Sequence, residues 1–377
     1  MSRTSKRKAK QKRNLVLAAI LAVILVGGGA YCYFTYFNKP APEVITEKTY
    51  TEKEVFPGQD ERDGKDTLVK KDEAKENSDS TSDEPEENSH EDDGDGGVSD
   101  AKLEGSLEVH FIDVGQGDAS LIIFRDTNPD NGDDSAAMLV DAGDESKGTL
   151  VRNYINKQWS GDLSYFVCSH PDADHIGGAA SVVSNINITS EKVFAPDFKK
   201  DTKTYENLLN EISYKNYSYE MPELFTEYSL GLATFEFFAP AHEHSDTNNS
   251  SLVMKIWYGD ESFLFTGDCG EEEEQELANG SAASLLSADV LKVGHHGSKT
   301  STSADFLNLV SPEYAVISCG EGNSYGHPHA AALNNLREKG VSLFRTDDQG
   351  SIVAKTDEFG ISWNATPCDN WTSGGDE

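Results

Sequence analysis

The hydrophobic positions divide the chain into one long apolar segment, a long polar segment and a body of short apolar runs. The apolar segment, residues 15–37, carries no charged side chain. At about 1.5 Å per residue, a helix of this length reaches about 34 Å, which exceeds a hydrocarbon core of about 30 Å. We therefore predict a transmembrane helix over residues 15–37.

Charge on either side of this helix predicts its orientation. Residues 1–14 hold seven basic side chains and no acidic one. Because basic residues stay on the cytoplasmic side, residues 1–14 are predicted to be cytoplasmic and the rest extracellular, in a single-pass protein of the cell membrane. Cleavage of the segment as a signal peptide, at Gly28-Gly29-Ala30, is the alternative. The body lies outside the cell in either case.

Residues 38–104 are predicted to be a disordered acidic linker. Charged and small polar residues dominate them, so too little apolar surface is available there to form a core. Like charges extend such a segment, which makes it a tether between membrane and body. At the other end of the chain, residues 366–377 are predicted to be a flexible tail.

The body, residues 105–365, has the alternation of an α/β protein. Short apolar runs predict strands, and amphipathic stretches between them predict helices. Predicted strands cover 107–114, 120–124, 137–140, 163–168, 193–195, 233–238, 252–257, 263–266, 288–293, 314–318, 342–345, 351–355 and 360–363. Predicted helices cover 150–158, 176–184, 205–212, 271–278, 303–309 and 330–339. We expect two packed sheets with helices on their outer faces.

The densest chemistry lies in residues 169–178, Ser-His-Pro-Asp-Ala-Asp-His-Ile-Gly-Gly. His170, Asp172, Asp174 and His175 follow an apolar strand and precede a glycine-rich helix start. Imidazole and carboxylate ligands together suit Zn, Mn or Fe better than Ca or Mg. A polar loop with incidental histidines is the alternative.

This stretch resembles the metal-binding signature of the metallo-β-lactamase superfamily, usually His-x-His-x-Asp-His. Asp172 stands where the second His is common. The variant is similar to the extracytoplasmic hydrolase domain of ComEC-like competence proteins. The resemblance covers about residues 105–365 and implies an αββα sandwich, with the active site along one edge between the sheets.

Two later stretches add ligands by the same resemblance. Asp268, at the end of Phe-Leu-Phe-Thr-Gly-Asp, is then the bridging ligand of a site for two divalent ions, Zn or Mn. The pair His295-His296 follows another strand. Adjacent side chains leave the backbone in different directions, so we assign His296 as the ligand and His295 to substrate contact, with the reverse assignment as the alternative.

The remaining candidates are polar residues in other stretches that match the family. Asp113, Gln116 and Asp118 lie in a glycine-rich turn, which either contacts substrate phosphate, supports the metal loop or is only a hairpin turn. Asp141 is expected to orient the metal loop through hydrogen bonds. His327 is expected to bind a phosphate or protonate a leaving oxygen, unless it is a structural loop residue.

Three further polar side chains belong to the expected rim. Ser298 is a candidate to hold a phosphate oxygen. Many superfamily members carry a third histidine for the first metal near residues 247–253, where this chain has Asn249 and Ser251 instead. That leaves His170, Asp172 and Asp268 for the first metal, with His242 and His244 as nearby alternatives.

Five cysteines lie too far apart to indicate a disulfide framework. A single bond, Cys168–Cys319 or Cys269–Cys319, stays open at this point. No motif indicates a protein partner.

A two-metal carboxylate and imidazole site implies hydrolysis. The first hypothesis is an anchored extracellular phosphodiesterase acting on DNA, with Asp174, His295 and His327 as catalytic residues. The net charge of −34 opposes DNA binding. Five lysines are candidates for a local basic groove: Lys199, Lys200, Lys203, Lys292 and Lys299. The alternatives are a phosphodiesterase of cell-envelope or small substrates, such as teichoic-acid decorations, and a non-catalytic envelope protein stabilised by metal.

Overall fold

The computed structural model describes residues 103–128 and 132–375. The predicted cytoplasmic residues 1–14, the predicted transmembrane helix 15–37 and the linker up to residue 102 lie outside the described residues. Within the described ranges, no helix combines the length and the apolar character needed to cross a membrane.

The described residues form strands and helices in alternation. The strands are β1 Gly105–Phe111, β2 Ser120–Asp126, β3 Ala136–Val140, β4 Tyr165–Val167, β5 Lys192–Phe194, β6 Ser218–Glu220, β7 Tyr228–Leu230, β8 Ala233–Ala239, β9 Val253–Tyr258, β10 Glu261–Phe265, β11 Val290–Lys292, β12 Tyr314–Ile317, β13 Ser342–Arg345, β14 Ile352–Asp357 and β15 Gly360–Trp363. The helices are α1 Gly148–Gln158, α2 Ala173–Ile176, α3 Ala179–Asn185, α4 Lys203–Lys215, α5 Glu271–Asn279, α6 Ala304–Val310, α7 Ala330–Lys339 and α8 Thr346–Gln349. Short 3-10 turns occur at Glu145–Lys147, Asn248–Ser250 and Gly294–Gly297.

These strands form two mixed sheets. The first has eight strands in the order β15-β14-β1-β2-β3-β4-β5-β6, and the second has seven in the order β13-β12-β11-β10-β9-β8-β7. In each sheet a run of antiparallel pairs meets a run of parallel pairs, β3 to β6 in the first and β10 to β13 in the second. Parallel strands need helical crossovers, and these place helices on the faces of the sheets.

Three apolar clusters hold the layers together. The central one lies between the sheets and is rich in aromatic rings, with Phe111 stacked on Phe265 at 6.0 Å between ring centroids. A second cluster joins the outer face of the first sheet to α1, α3 and α4. A third joins the outer face of the second sheet to α5, α6 and α7. The predicted α/β sandwich with two sheets inside and helices outside is confirmed.

The sequence pattern missed two strands and merged two helices. β6 and β7 are three residues long and mostly half-buried, so neither contains an apolar run that would predict a strand. The helix predicted over 176–184 is interrupted at Gly177-Gly178, which separates α2 from α3. All four described cysteines are buried and unpaired: Cys168, Cys269, Cys319 and Cys368.

Residues 366–375, where the sequence predicts a flexible tail, pack against the second sheet. Arg345 donates hydrogen bonds to two backbone carbonyl oxygens of this segment, at 3.0 and 2.7 Å. Cys368 is buried, and Gly374 donates its backbone N–H to Pro328 at 3.0 Å. The polar sequence gave no sign of this packing because the segment is anchored mainly through its backbone.

Phe235 tests the central core. Its ring is fully buried and lies 5.1 Å from Tyr165 of the other sheet, between ring centroids. Phe235→Ala should lower the free energy of unfolding by about 3–5 kcal/mol, because it removes apolar contacts and leaves a cavity between the sheets. Urea denaturation of the full chain measures the loss.

Phe359→Ala is the matched control, since this phenylalanine is 84% exposed. Its effect should stay within about 0.5 kcal/mol. Equal losses in the two variants would contradict the assignment of Phe235 to the core.

Candidate metal centre

Strand direction brings the loops that carry polar residues to one edge of the sandwich. β3 and β4 are parallel in the first sheet, and β10, β11 and β12 are parallel in the second. β1 has the direction of β3, because both are antiparallel to β2. The loops that follow these six strands therefore meet at their carboxyl ends, where open α/β sheets place their ligands.

The loop that carries the predicted ligands, residues 169–178, is the metal loop. It follows β4 and is held by Asp141, the residue directly after β3. Both carboxylate oxygens of Asp141 accept hydrogen bonds from Ser169, through its backbone N–H and its hydroxyl, each at 2.7 Å. The Nδ1 of His175 lies 2.9 Å from the same carboxylate. Since Nδ1 is the donor in that bond, the Nε2 of His175 is left as the atom available to a metal.

Asp268 lies at the centre of the imidazoles. Its Oδ2 is 3.8 Å from His170 Nε2 and 3.6 Å from the Nε2 atoms of both His295 and His296. Its Oδ1 is 3.2 Å from His175 Nε2. One carboxylate thus faces ligand atoms on both sides, as a bridging ligand does.

The ligand atoms around Asp268 fall into two groups. In the first, His170 Nε2 lies 4.0 Å from Asp172 Oδ1. In the second, His296 Nε2 lies 3.2 Å from Asp174 Oδ2 and 3.3 Å from His175 Nε2. Ligand atoms that bind one ion at about 2.0–2.2 Å stand roughly 3–4 Å apart, so both groups have suitable spacing.

Unsatisfied buried atoms indicate that the cluster suits a cation. Within the described residues, His170 Nε2 and Asp268 Oδ1 are buried without a hydrogen-bond partner. Ligand-type atoms of four buried residues lie within 4.8 Å of one another: Asp118, His175, Asp268 and His296. Buried polar atoms of this kind are costly unless they coordinate a metal or form a pair. The donor set therefore fits divalent metal ions.

The electrostatics lead to the same conclusion. Burial alone would raise the pKa of Asp268, but positive charge on His175 and His296 holds it well below its usual range. Burial alone would lower the pKa of His296, but Asp268 and Asp118 raise it to about 10. The carboxylates stay ionised and keep protons on neighbouring imidazoles, so a bound cation would take over the charge of those protons.

His296 has a backbone that few side chains adopt. Its φ is 53° and that of His295 is 47°, both in the left-handed region, which costs of order 1–3 kcal/mol for such residues. His296 Nδ1 lies 2.9 Å from the carbonyl oxygen of Ser318, which orients Nε2 toward Asp268. The His295 side chain is 24% exposed and lies at the rim. Strain of this kind is typical of functional sites.

A protein-family comparison identifies the fold. The family model described as the metallo-beta-lactamase superfamily matches residues 112–321, more than half of the chain. The chain belongs to the metallo-beta-lactamase superfamily. Members of this superfamily are typically metal-dependent hydrolases.

Curated relatives within the superfamily are larger proteins. The chain is 31% identical over 268 residues to ComE operon protein 3 of Bacillus subtilis, covering 65% of this chain and 32% of that protein. It is 34% identical over 262 residues to Competence protein ComA of Neisseria gonorrhoeae, covering 68% and 33%. The chain spans about a third of the length of these relatives. Among solved structures, the metallo-beta-lactamase fold protein YhfI from Bacillus subtilis matches with a TM-score of 0.43 and 13% identity, over 67% of this chain and 99% of that one.

The structure brings the six predicted metallo-beta-lactamase ligands into one cluster. These are His170, Asp172, Asp174, His175, Asp268 and His296. His295 and His327 lie beside the cluster, with 5.4 Å between their ring centroids. Ser298 is buried, and its hydroxyl lies 3.0 Å from that of Thr300.

Asn249 and Ser251 support the loop of Asp268 from behind. The hydroxyl of Ser251 accepts the backbone N–H of Asp268 at 3.0 Å, and Asn249 Oδ1 accepts that of Gly270 at 3.1 Å. Many superfamily members carry a third histidine near this position. In this chain, Asn249 and Ser251 instead hold the loop of the ligand Asp268 in place. His244, an alternative for that ligand, faces Glu273 at 2.7 Å instead.

The glycine-rich turn after β1 packs on the metal loop. The φ of Gly117 is +131°, and a Cβ there would lie 2.4 Å from the carbonyl oxygen of Asp174, so only glycine fits. Gln116 Nε2 lies 3.3 Å from His327 Nδ1, and its Oε1 accepts the backbone N–H of Gly320 at 3.2 Å. Asp113 is not part of the cluster, since its carboxylate accepts the N–H of Gly115 within the turn.

Lys292 was one of five candidates for a local basic groove, and its burial excludes it from that role. Its side chain is 2% exposed and forms an ion pair with Asp118 at 2.7 Å. Asp118 also lies 3.3 Å from His296 Nδ1, on the side of the ring away from the metal-facing Nε2, so it supports that histidine. Lys200, another lysine of the expected groove, pairs with Asp172. The apolar run around Lys292 was the sequence signal for its burial.

Asp141→Asn should weaken the apparent affinity for Zn²⁺ about 10- to 100-fold, the usual effect of losing a residue that orients metal ligands. The change keeps the size of the side chain, and asparagine tolerates the left-handed φ of 58° at this position. Competition titration of the metal-free full chain with a chromophoric chelator measures the affinity.

Asp162→Asn is the control, because Asp162 is exposed and precedes β4 at the end opposite the metal loop. It should leave the affinity unchanged. An Asp141→Asn chain with unaltered affinity would show that the carboxylate does not orient His175.

Proposed function

We propose that this chain is a metal-dependent phosphodiesterase that cleaves DNA outside the cell and is anchored to the cell membrane through residues 15–37. The supporting observation is the pairing of two ligand groups around one buried carboxylate, Asp268. The relative named Competence protein ComA, with the resemblance to ComEC-like proteins, directs the choice of substrate toward DNA. Zn²⁺ or Mn²⁺ suits this donor set.

Two divalent ions held there would lower the pKa of an attacking water and offset charge on the phosphoryl oxygens. The protein contributes orientation. Asp141 and Ser318 fix the rings of His175 and His296, and each leaves its Nε2 directed into the centre. The side chain of Asp174 is 32% exposed, so among the ligands it can also hold a hydrogen bond to an incoming water.

His327 acts in this proposal as a hydrogen-bond donor to a phosphoryl oxygen. Burial, with repulsion from His296 and His295, lowers the pKa of His327 to about 3. The ring is then neutral at physiological pH and holds no extra proton for a leaving oxygen. Gln116 donates through its amide to Nδ1, since its Oε1 already accepts from Gly320, so the Nε2–H of His327 is the donor.

A phosphodiesterase of cell-envelope substrates is the second candidate, and net charge favours it. The chain carries −34 overall, whereas DNA-binding surfaces are cationic. With Lys292 buried and Lys200 paired to Asp172, the expected basic groove is reduced. A small or flexible phosphodiester meets less repulsion from such a surface than duplex DNA does.

The deciding experiment offers the full chain three substrates with Mn²⁺ or Zn²⁺: single-stranded DNA, double-stranded DNA and bis-p-nitrophenyl phosphate. We expect metal-dependent DNA cleavage that a chelator abolishes and added metal restores. Asp174→Ala with His175→Ala should reduce the rate by more than about 100-fold, since loss of a merely supporting residue already costs roughly 10- to 100-fold.

His242→Ala is the matched control, an exposed histidine outside the cluster, and it should keep the wild-type rate. Turnover of the small diester without DNA cleavage would move the proposal to the envelope substrates. Absence of turnover on all three substrates, in a chain that binds metal, would contradict both.

A further inference from the structure

A second group of ligand-type side chains lies outside the metal centre, where the loop between β8 and β9 meets the start of α5. His244 Nε2 is 2.7 Å from Glu273 Oε2 and 3.7 Å from Glu276 Oε2. Ligand atoms of His244, Glu272 and Glu276 all lie within 4.8 Å of one another. The imidazole of His244 therefore shares one small space with the carboxylates of Glu272 and Glu276, and it also contacts that of Glu273.

Burial makes this group unlike an ordinary acidic helix start. Glu273 is 1% exposed. Its Oε2, the Oε2 of Glu276 and the Nε2 of His244 are buried and lack a hydrogen bond of acceptable geometry within residues 103–128 and 132–375. Three carboxylates share a single imidazole here, and buried carboxylate oxygens are costly unless a cation or hydrogen bonds compensate them.

We propose that His244, Glu272 and Glu276, with the carboxylate of Glu273 against His244, form a third metal-binding position, separate from the two at Asp268, for a divalent transition ion such as Zn²⁺. One histidine with several carboxylates suits Zn²⁺ or Mn²⁺. The 3.7 Å between His244 Nε2 and Glu276 Oε2 agrees with ligand atoms that share one ion, whereas the 2.7 Å to Glu273 is the distance of an ion pair. His244 also lines a cavity of about 510 Å³.

An ion at this position would connect to the metal centre through one side chain. Asn249 donates its amide to Glu272 Oε2 at 3.3 Å and accepts the backbone N–H of Gly270 at 3.1 Å. Gly270 lies two residues after Asp268. The ion would thus fasten the β8–β9 loop to α5 and stiffen the support of Asp268, without contacting the substrate.

Metal stoichiometry tests the inference without reference to activity. The full chain is freed of metal, dialysed against buffered Zn²⁺ and analysed by elemental mass spectrometry. Wild type should hold one more Zn²⁺ per chain than either His244→Ala or Glu276→Gln. His242→Ala, on the same loop but exposed, should hold the wild-type number.

Thermal unfolding gives an independent measurement. Zn²⁺ should raise the Tm of wild type and of His242→Ala by more than it raises that of His244→Ala or Glu276→Gln, because the latter two lack one bound ion. Glu276 is half-buried at the helix surface, so Glu276→Gln should fold. This variant tests the third metal site if His244→Ala fails to fold.

Equal stoichiometry and equal Tm increments in all four proteins would overturn the proposal and leave His244 and Glu273 as a simple ion pair. The result is independent of the proposed phosphodiesterase. A chain without DNA cleavage can still hold the third ion, and an active chain can lack it.

Discussion

The centre depends on keeping the carboxylate of Asp268 ionised while it is buried. Removing such a charge from water costs several kcal/mol unless opposite charge and hydrogen bonds compensate. Here, imidazoles surround the carboxylate, and each must direct the correct nitrogen toward it. Asp141 fixes His175, while Ser318 and the Asp118–Lys292 pair fix His296. Most of the buried polar residues described at this edge therefore orient the histidine rings.

The two sheets contribute different ligands to the metal centre. The first supplies the His170-to-His175 loop, and the second supplies Asp268 and His296. The distances across the centre are therefore set by how the sheets pack. Phe265, three residues before Asp268, stacks on Phe111 of the opposite sheet and carries part of that packing. Core packing and ligand geometry are consequently linked, and a change in one will alter the other.

The sequence predicts features whose residues are close together along the chain. It does not predict contacts between residues that are far apart along the chain. His170 to His175 span six residues directly after a strand, so a metal site there could be predicted from the sequence alone. The ion pair of Lys292 with Asp118 could not be predicted, because Asp118 lies in a turn that is distant along the sequence. The same holds for His244, whose carboxylates belong to α5. Strands β6 and β7 were missed because each is three residues long, too short to show an alternating pattern or an apolar run.

The packed end of the chain has a consequence for where the folded unit can be cut. Gly374 donates to Pro328, and a Cβ at Gly374 would lie 2.3 Å from the carbonyl oxygen of His327. The last described residues are thus the backing of the histidine loop. A fragment ended at residue 365, where the apolar pattern stops, would keep every ligand yet lose the surface on which His327 rests. Removal of residues 366–375 would therefore alter the rim of the metal centre.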